Sequence, residues 1–247
     1  GAPSNDDNGD GSGHVRVYRY INSNWVQLGA DINGEAARDE SGSSVSLSAD
    51  GSIVAIGAPK NGLSFGHVRI YQYINSSWQQ LGADIDGESG SDYSGWSVSL
   101  SADGSTVAIG AYLNSGINSV NSGSVRVYQY TNSSWQKLGS DIDGEGQRDL
   151  FGHSVSLSAD GGVVAIGAPD SDGNGFKSGR VRVYRYTGLN WVQLGTAEID
   201  GEALGDQSGW SVSLSADGNT VAIGAPQNDG NGSNSGHVRV YELTQEP

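Results

Sequence analysis

The strongest constraint on this chain is its repetition. A Val-Arg-Val-Tyr or Val-Arg-Ile-Tyr segment begins at Val15, Val68, Val125, Val181 and Val238, at spacings of 53, 57, 56 and 57 residues. Trp25, Trp78, Trp135 and Trp191 keep the same step, as do the Ser-Val-Ser-Leu-Ser-Ala-Asp-Gly segments starting at Ser44, Ser97, Ser154 and Ser211. Such a period means an array of one supersecondary unit, each copy stabilised by burying a face against the next.

Each unit carries four strand signals. Val15 to Tyr20 alternates β-branched with polar or aromatic residues, and Trp25 to Ile32 follows a short Asn/Ser turn. Ser44 to Ser48 alternates strictly, and Ile53 to Ala58 is apolar with small residues interleaved. Asp-Gly, Asn-Gly and Ser-Gly pairs punctuate these runs, and no stretch of useful length shows a helical period. The fold class is therefore all-β, in four-stranded antiparallel units.

Alternation also gives a packing rule, because successive side chains of a strand point to opposite faces. One face of a unit carries Val45, Leu47, Val54 and Ile56, and the other carries serines with Ala55 and Gly57. The bulky face of one copy can fill the shallow face of the next, in a contact that repeats head to tail. Twisted four-stranded sheets stacked in this way build a β-propeller, commonly of four to eight blades.

The motifs resemble a known family. Phe151-Gly152, the Ser-Val strand and Gly167-Ala168-Pro169 are similar to the FG-GAP repeat of integrin α-chain propellers and of many secreted bacterial repeat proteins. The resemblance runs over nearly all of the chain. It implies blades ordered from inner to outer strand as Ser-Val-Ser-Leu, Val-Ala-Ile-Gly, Val-Arg-Val-Tyr and the Trp strand. Departures are visible: Ser41, Ser94 and Ser208 replace Phe151 in the other copies, and Tyr112 stands in place of the proline. The acidic calcium loop usual in the family between the first two strands is reduced to a bare Asp-Gly turn, as at Asp50-Gly51.

On this pattern residues 1–247 form a single repeat domain. Residues 1–41 make a partial blade with the tail of a second strand and the third and fourth strands. Blades follow at 42–94, 95–151 and 152–208, and 209–247 is a terminal blade without its own outer strand. About four and a half repeats are fewer than a seven-bladed ring needs. The chain reads as part of a larger ring, and next as a small ring or an array completed by neighbouring chains.

Composition bounds the partners. Twenty-eight acidic residues against 13 basic ones give a net charge of −15, the wrong sign for nucleic acid or an anionic membrane surface. No apolar run is long enough to span a bilayer as a helix. Cysteine is absent, which removes disulfides, thiolate metal sites and cysteine nucleophiles together. The chain opens in mid-motif at Gly1-Ala2-Pro3 and contains no Met, so it reads as a processed product or an excerpt.

Ca²⁺ is the one cofactor the sequence offers. Asp6-x-Asn8-Gly9, Asp172-x-Asn174-Gly175 and Asp229-x-Asn231-Gly232 align in the loop after Gly-Ala-Pro, and Asp170 extends one of them. Alternating oxygen side chains before a glycine bend are what a calcium loop needs, although no later bidentate acid follows. The competing reading is a solvated turn. A second set, such as Asp31, Asn33, Glu35 and Asp39, recurs in every unit. Acids this close repel unless something positive sits among them, either a cation or the repeated Arg16, Arg69, Arg126, Arg182 and Arg239, and arginine pairing with backbone capping is the favoured reading. Repetition in every unit argues against catalysis, since a catalytic pair needs one specialised cleft. His14, His67 and His237 lie about a blade apart, too far to share a metal. The Trp25 and Tyr18/Tyr20 series either pack a blade edge or stack on sugars. Asn75, Asn132 and Asn231 head glycosylation sequons.

Taken together, these features predict a non-enzymatic extracellular propeller, secreted or at the cell surface, acting in adhesion, recognition or structure. The expected partners are other proteins or surface glycans. Two further readings stand beside this one: a filament subunit joined through incomplete terminal blades, and a lectin-like propeller with one pocket per blade.

Overall fold

The computed structural model of the chain describes residues 1–115, 120–195 and 198–243. The loop at 113–121 lies partly, and the tail at 244–247 wholly, outside the described residues. Three complete blades follow one another. The first has strands Ser44–Leu47, Ile53–Ala58, His67–Ile74 and Ser77–Gln80, hydrogen-bonded in that order, plus a two-residue strand Ile85–Asp86 against the base of the third. The second repeats this at Ser97–Leu100, Thr106–Ala111, Ser124–Thr131, Ser134–Lys137 and Ile142–Asp143, and the third at Ser154–Leu157, Val163–Ala168, Arg180–Tyr186, Trp191–Gln193 and Ile199–Asp200. The last blade has three strands, Ser211–Leu214, Thr220–Ala225 and His237–Glu242. Every strand pair is antiparallel, and the inner-to-outer order is the predicted one. No described helix is long and apolar enough to cross a membrane; the short helical segment Asn61–Ser64 contains left-handed residues at Gly62 and Leu63.

Two details depart from the expected strands. The run from Trp25 to Ile32 divides into Asn24–Gln27 and Ile32–Asn33, with Gly29 at φ +70° in the bend between them. In the N-terminal partial blade, Val15 to Tyr20 also divides, into His14–Val15 and Tyr18–Ile21. The cause is pairing. A third strand in a full blade is bridged along its length by the second strand, whereas here Ile32–Asn33 and Asn24–Gln27 hold only its two ends. Ala2 does bridge His14, so the tail of a second strand is present.

The stacking rule holds at each junction. In the third blade, Ala165, Val181 and Val183 pack against Val221, Ile223, Val212, Leu214 and Tyr241 of the last. The third strand thus contributes two valines to the shallow face. The serines of that face are not turned to water. Ser44, Ser97 and Ser154 donate to the carbonyls of Gly95, Gly152 and Gly209 of the following blade at 2.7–2.8 Å. Ser46, Ser99 and Ser156 accept from the backbone N–H of Leu100, Leu157 and Leu214 at 2.9–3.0 Å. On the outer side the indole N–H groups of Trp78, Trp135 and Trp191 donate to Leu28, Leu81 and Leu138 of the preceding copy at 2.7–2.9 Å. Apolar burial supplies most of the attraction between blades, and these bonds fix their register.

Both ends of the stack are open. Val238 and Val240 on the last blade are 69% and 65% exposed, and Val45 and Leu47 at the other end are 43% and 48% exposed. The same residue types are covered wherever a neighbouring blade is complete.

Candidate functional site

The repeated acids are consumed by the scaffold. Arg126 pairs with Asp141 of its own blade at 3.0 Å and with Glu88 of the preceding one at 2.8 Å. Arg182 does the same with Glu198 and Glu145, and Arg69 reaches Glu35. These guanidiniums are almost buried, so each carboxylate is held by a charge that has few other partners. Arg16 holds the Asp31 carboxyl down to about 2, with a hydrogen bond from Gln27 adding to the effect. The last acid of the set is a buried cap. Asp39, Asp92 and Asp206 accept from the backbone N–H of Ala36, Ser89 and Ala203 and from the side chains of Asn61, Asn114 and Asn228. Arginine pairing and capping therefore account for most of this recurring set, whereas Asp84 accepts from Gln80 Nε2 and faces His67.

The candidate calcium loops lie between the second and third strands of the N-terminal partial blade, the third complete blade and the last blade; the loops at Lys60–Phe65 and Leu113–Asn121 lack the pattern. Asp6 accepts from the Gly11 N–H at 2.8 Å, Asp172 from Lys177 at 2.8 Å and Asp229 from Asn234 at 2.7 Å. Asn8 donates its amide to the carbonyls of Gly34 and Glu35, and Asn174 to that of Gly201. The Asn231 N–H donates to Ser235 Oγ. Asp170 faces Lys177 Nζ at 2.7 Å and accepts from Gln207 Nε2 at 3.0 Å. These contacts close each loop on itself and tie two of them to the following segment. The sequons lie on the surface, with Asn75 and Asn132 at positive φ in two-residue hairpin turns and Asn231 in its loop.

Two groupings were not legible in the sequence. Asp7, His14 and Asp31, and likewise Glu35, His67 and Asp84, each bring one ligand-type atom within 4.8 Å of the others. The histidines stay a blade apart, but each has its own acids. In the third blade Arg180 takes the histidine position and pairs with Glu198 and Asp200 at 2.6 Å. Burial pushes the His67 pKa down, opposed by Asp84 and Glu35, so the ring there tends to be neutral.

The second grouping is aromatic. Trp96 lies 4.5 Å from Tyr112 and 5.9 Å from His153 between ring centroids, and His153 lies 4.6 Å from Trp210. Tyr93 adds a fifth ring, 5.8 Å from Tyr112. Trp96, His153 and Trp210 occupy one repeat position in successive copies, just before the innermost strand; the first copy has Ser43 there. The Trp25 series is different: Trp25, Trp78, Trp135 and Trp191 pair with Tyr20, Tyr73, Tyr130 and Tyr186 at 5.0–5.3 Å. In three of these pairs the Trp also ties its blade to the one before.

The FG-GAP repeat family matches residues 81–128 and 196–241. The chain carries FG-GAP repeats. Both matched FG-GAP windows end at the Tyr of the Val-Arg-Val-Tyr strand, so they share one phase of the period. The copy between them contains Phe151-Gly152 and Gly167-Ala168-Pro169, the segment in which the motif is spelled most fully. Among curated proteins no sequence matches. Among solved structures, hydrazine synthase from Kuenenia stuttgartiensis aligns over 81% of this chain at 14% identity and a TM-score of 0.48, a likeness too low to bear on function. The chain spans 45% of that protein.

Proposed function

We propose that this FG-GAP repeat chain is a non-catalytic recognition module that works outside the cell, in adhesion to a protein or glycan surface. The carrying observation is the fate of the polar groups. Most of the acids that recur in every blade, the usual raw material for acid–base chemistry, are paired with buried arginines or spent on caps. What differs between copies is gathered on exposed loops and one aromatic stripe. The test is retention of beads coated with the protein on surfaces of matrix proteins and of polysaccharides, against albumin-coated beads. Retention on a defined subset supports the reading; indifference to every surface overturns it.

End-to-end assembly is a second reading, favoured by the make-up of the two open faces. The last blade presents Ser211, Ser213, Ala222, Gly224, Val238 and Val240, the same types that receive a following blade at each internal junction. Sedimentation over a concentration series checks it, with a constant monomer mass counting against it. Calcium at the Asp6, Asp172 and Asp229 loops is likewise proposed from the sequence pattern. Binding requires the Asn8 and Asn174 side chains to turn their oxygens inward, and calorimetric titration of the metal-free protein with Ca²⁺ decides it.

A further inference from the structure

We infer that Trp96, Tyr112, His153 and Trp210 form a stacking platform for a neutral oligosaccharide, running across three successive blades. The inference rests on the recognition-module reading and names what the module recognises.

The chain supplies its own control. Its copies are nearly alike, so a position that the fold dictates carries the same residue type in each. The position after the glycine at 42, 95, 152 and 209 holds Ser43, Trp96, His153 and Trp210, and the position after Gly-Ala holds Pro59, Tyr112, Pro169 and Pro226. A blade therefore forms with serine and proline at these two places. The aromatic rings are additions to the scaffold, and they fall side by side although they are distant in sequence. Trp210 is 47% exposed and the other rings are half-buried, so each is anchored while part of it stays open to solvent.

Ligand class follows from the surroundings. An aromatic face carries negative charge density and attracts weakly polarised C–H groups, which the faces of a sugar ring display. A sugar also needs donors and acceptors together at the platform's rim. Asp170, Gln207, Gln227 and Lys177 provide both in one connected group: Gln207 Nε2 donates to Asp170, Gln227 Nε2 to Gln207 Oε1 at 2.6 Å, and Lys177 pairs with Asp170. Gln207 lies one turn before Trp210, its backbone carbonyl accepting the Trp210 backbone N–H at 3.2 Å. The net charge of −15 disfavours anionic polysaccharides. A row of rings shared between blades suits an extended chain with several sugar units better than a single monosaccharide. It also differs from a pocket repeated in each blade, because the first copy has no ring at this position.

The experiment is a titration of the full chain with cellohexaose, chitohexaose, laminarihexaose and xylohexaose, read by tryptophan fluorescence and calorimetry. Variants Trp96→Ser and Trp210→Ser install the residue that the first copy already carries. The expected result is saturable binding of at least one of these sugars. Each substitution should weaken it about tenfold, the scale of one lost aromatic contact, while circular dichroism and the thermal midpoint stay close to the parent. Trp25→Ser, outside the stripe, should leave affinity unchanged. Absence of saturable binding, or binding indifferent to both substitutions, overturns the inference. So does binding of a proline-rich peptide in place of every sugar. Bead retention that persists in the Trp96→Ser/Trp210→Ser double variant leaves the module reading intact while removing the platform from it.

Discussion

Phe151 sits where the other copies have Ser41, Ser94 and Ser208, and it is 2% exposed in a core with Val125, Val127 and Ile142. Phe151→Ser therefore leaves the fold possible, since three copies already use serine, but empties a filled site. We expect a loss of about 3 kcal/mol in urea unfolding, toward the lower end for a buried phenylalanine because the neighbours can close in. A second residue-scale prediction concerns acid. Asp50 is drawn down to about 2 by the Ser52 N–H and by the hydroxyls of Ser48 and Ser52. Asp160 and Asp217 are lowered in the same way, and Asp103 is lowered despite burial that opposes it. A depressed carboxyl stabilises the fold above its ordinary pKa, and that contribution disappears as pH falls through the folded value. Asp143 and Asp149 are shifted upward by burial and pull the other way, but they are fewer. Thermal midpoints should be level near neutrality and fall between about pH 4 and pH 2. In Asp50→Asn the slope over that interval should shrink.

At the scale of the element, the second strand shows why Gly-Ala-Pro recurs. A Cβ at Gly110 or Gly167 would collide with the carbonyl oxygen of Gly152 or Gly209 on the next blade, which is backbone and cannot yield. Gly224, on the open face of the last blade, would meet only the Ser211 side chain closely. Gly167→Ala should cost about 3 kcal/mol, near the upper end for overpacking, whereas Gly224→Ala should shift stability by less than about 1 kcal/mol. Equal effects at the two sites would mean that close approach between blades is not what selects glycine. The division of the third strand in the N-terminal partial blade makes a related point. Identical sequence gives one long strand or two short ones according to whether a second strand lies alongside.

For the whole molecule, stability is a sum over neighbouring blades rather than a property of any one of them. Val164, Ala165, Ile166 and Val181 are fully buried, yet they face two different blades. Excised residues 152–208 should give the circular dichroism spectrum of an unfolded chain, and a two-blade piece should recover β signal. A folded single blade would contradict the account of stacking. The net charge of −15 belongs to this scale too: it sets a long-range field that opposes the approach of acidic polymers.

Repetition, the period-two alternation and the Asp-Gly turns determined the all-β class and the choice of which face meets which, while the inner-to-outer order of strands was what the resemblance to the FG-GAP repeat implied. These are local properties copied along the chain, so they survive without knowledge of distant contacts. The pairing of the repeated acids was also foreshadowed, because three or four carboxylates close together in every unit need positive charge and an arginine recurs beside them. Tertiary structure alone decided the rest. The short fifth strand at Ile85–Asp86 carries too few residues for a pattern. The convergence of Trp96, Tyr112, His153 and Trp210, and of His67 with Glu35 and Asp84, depends on how far one blade is rotated against the next. Rotation between blades is set by the fit of whole faces, and no single segment encodes it.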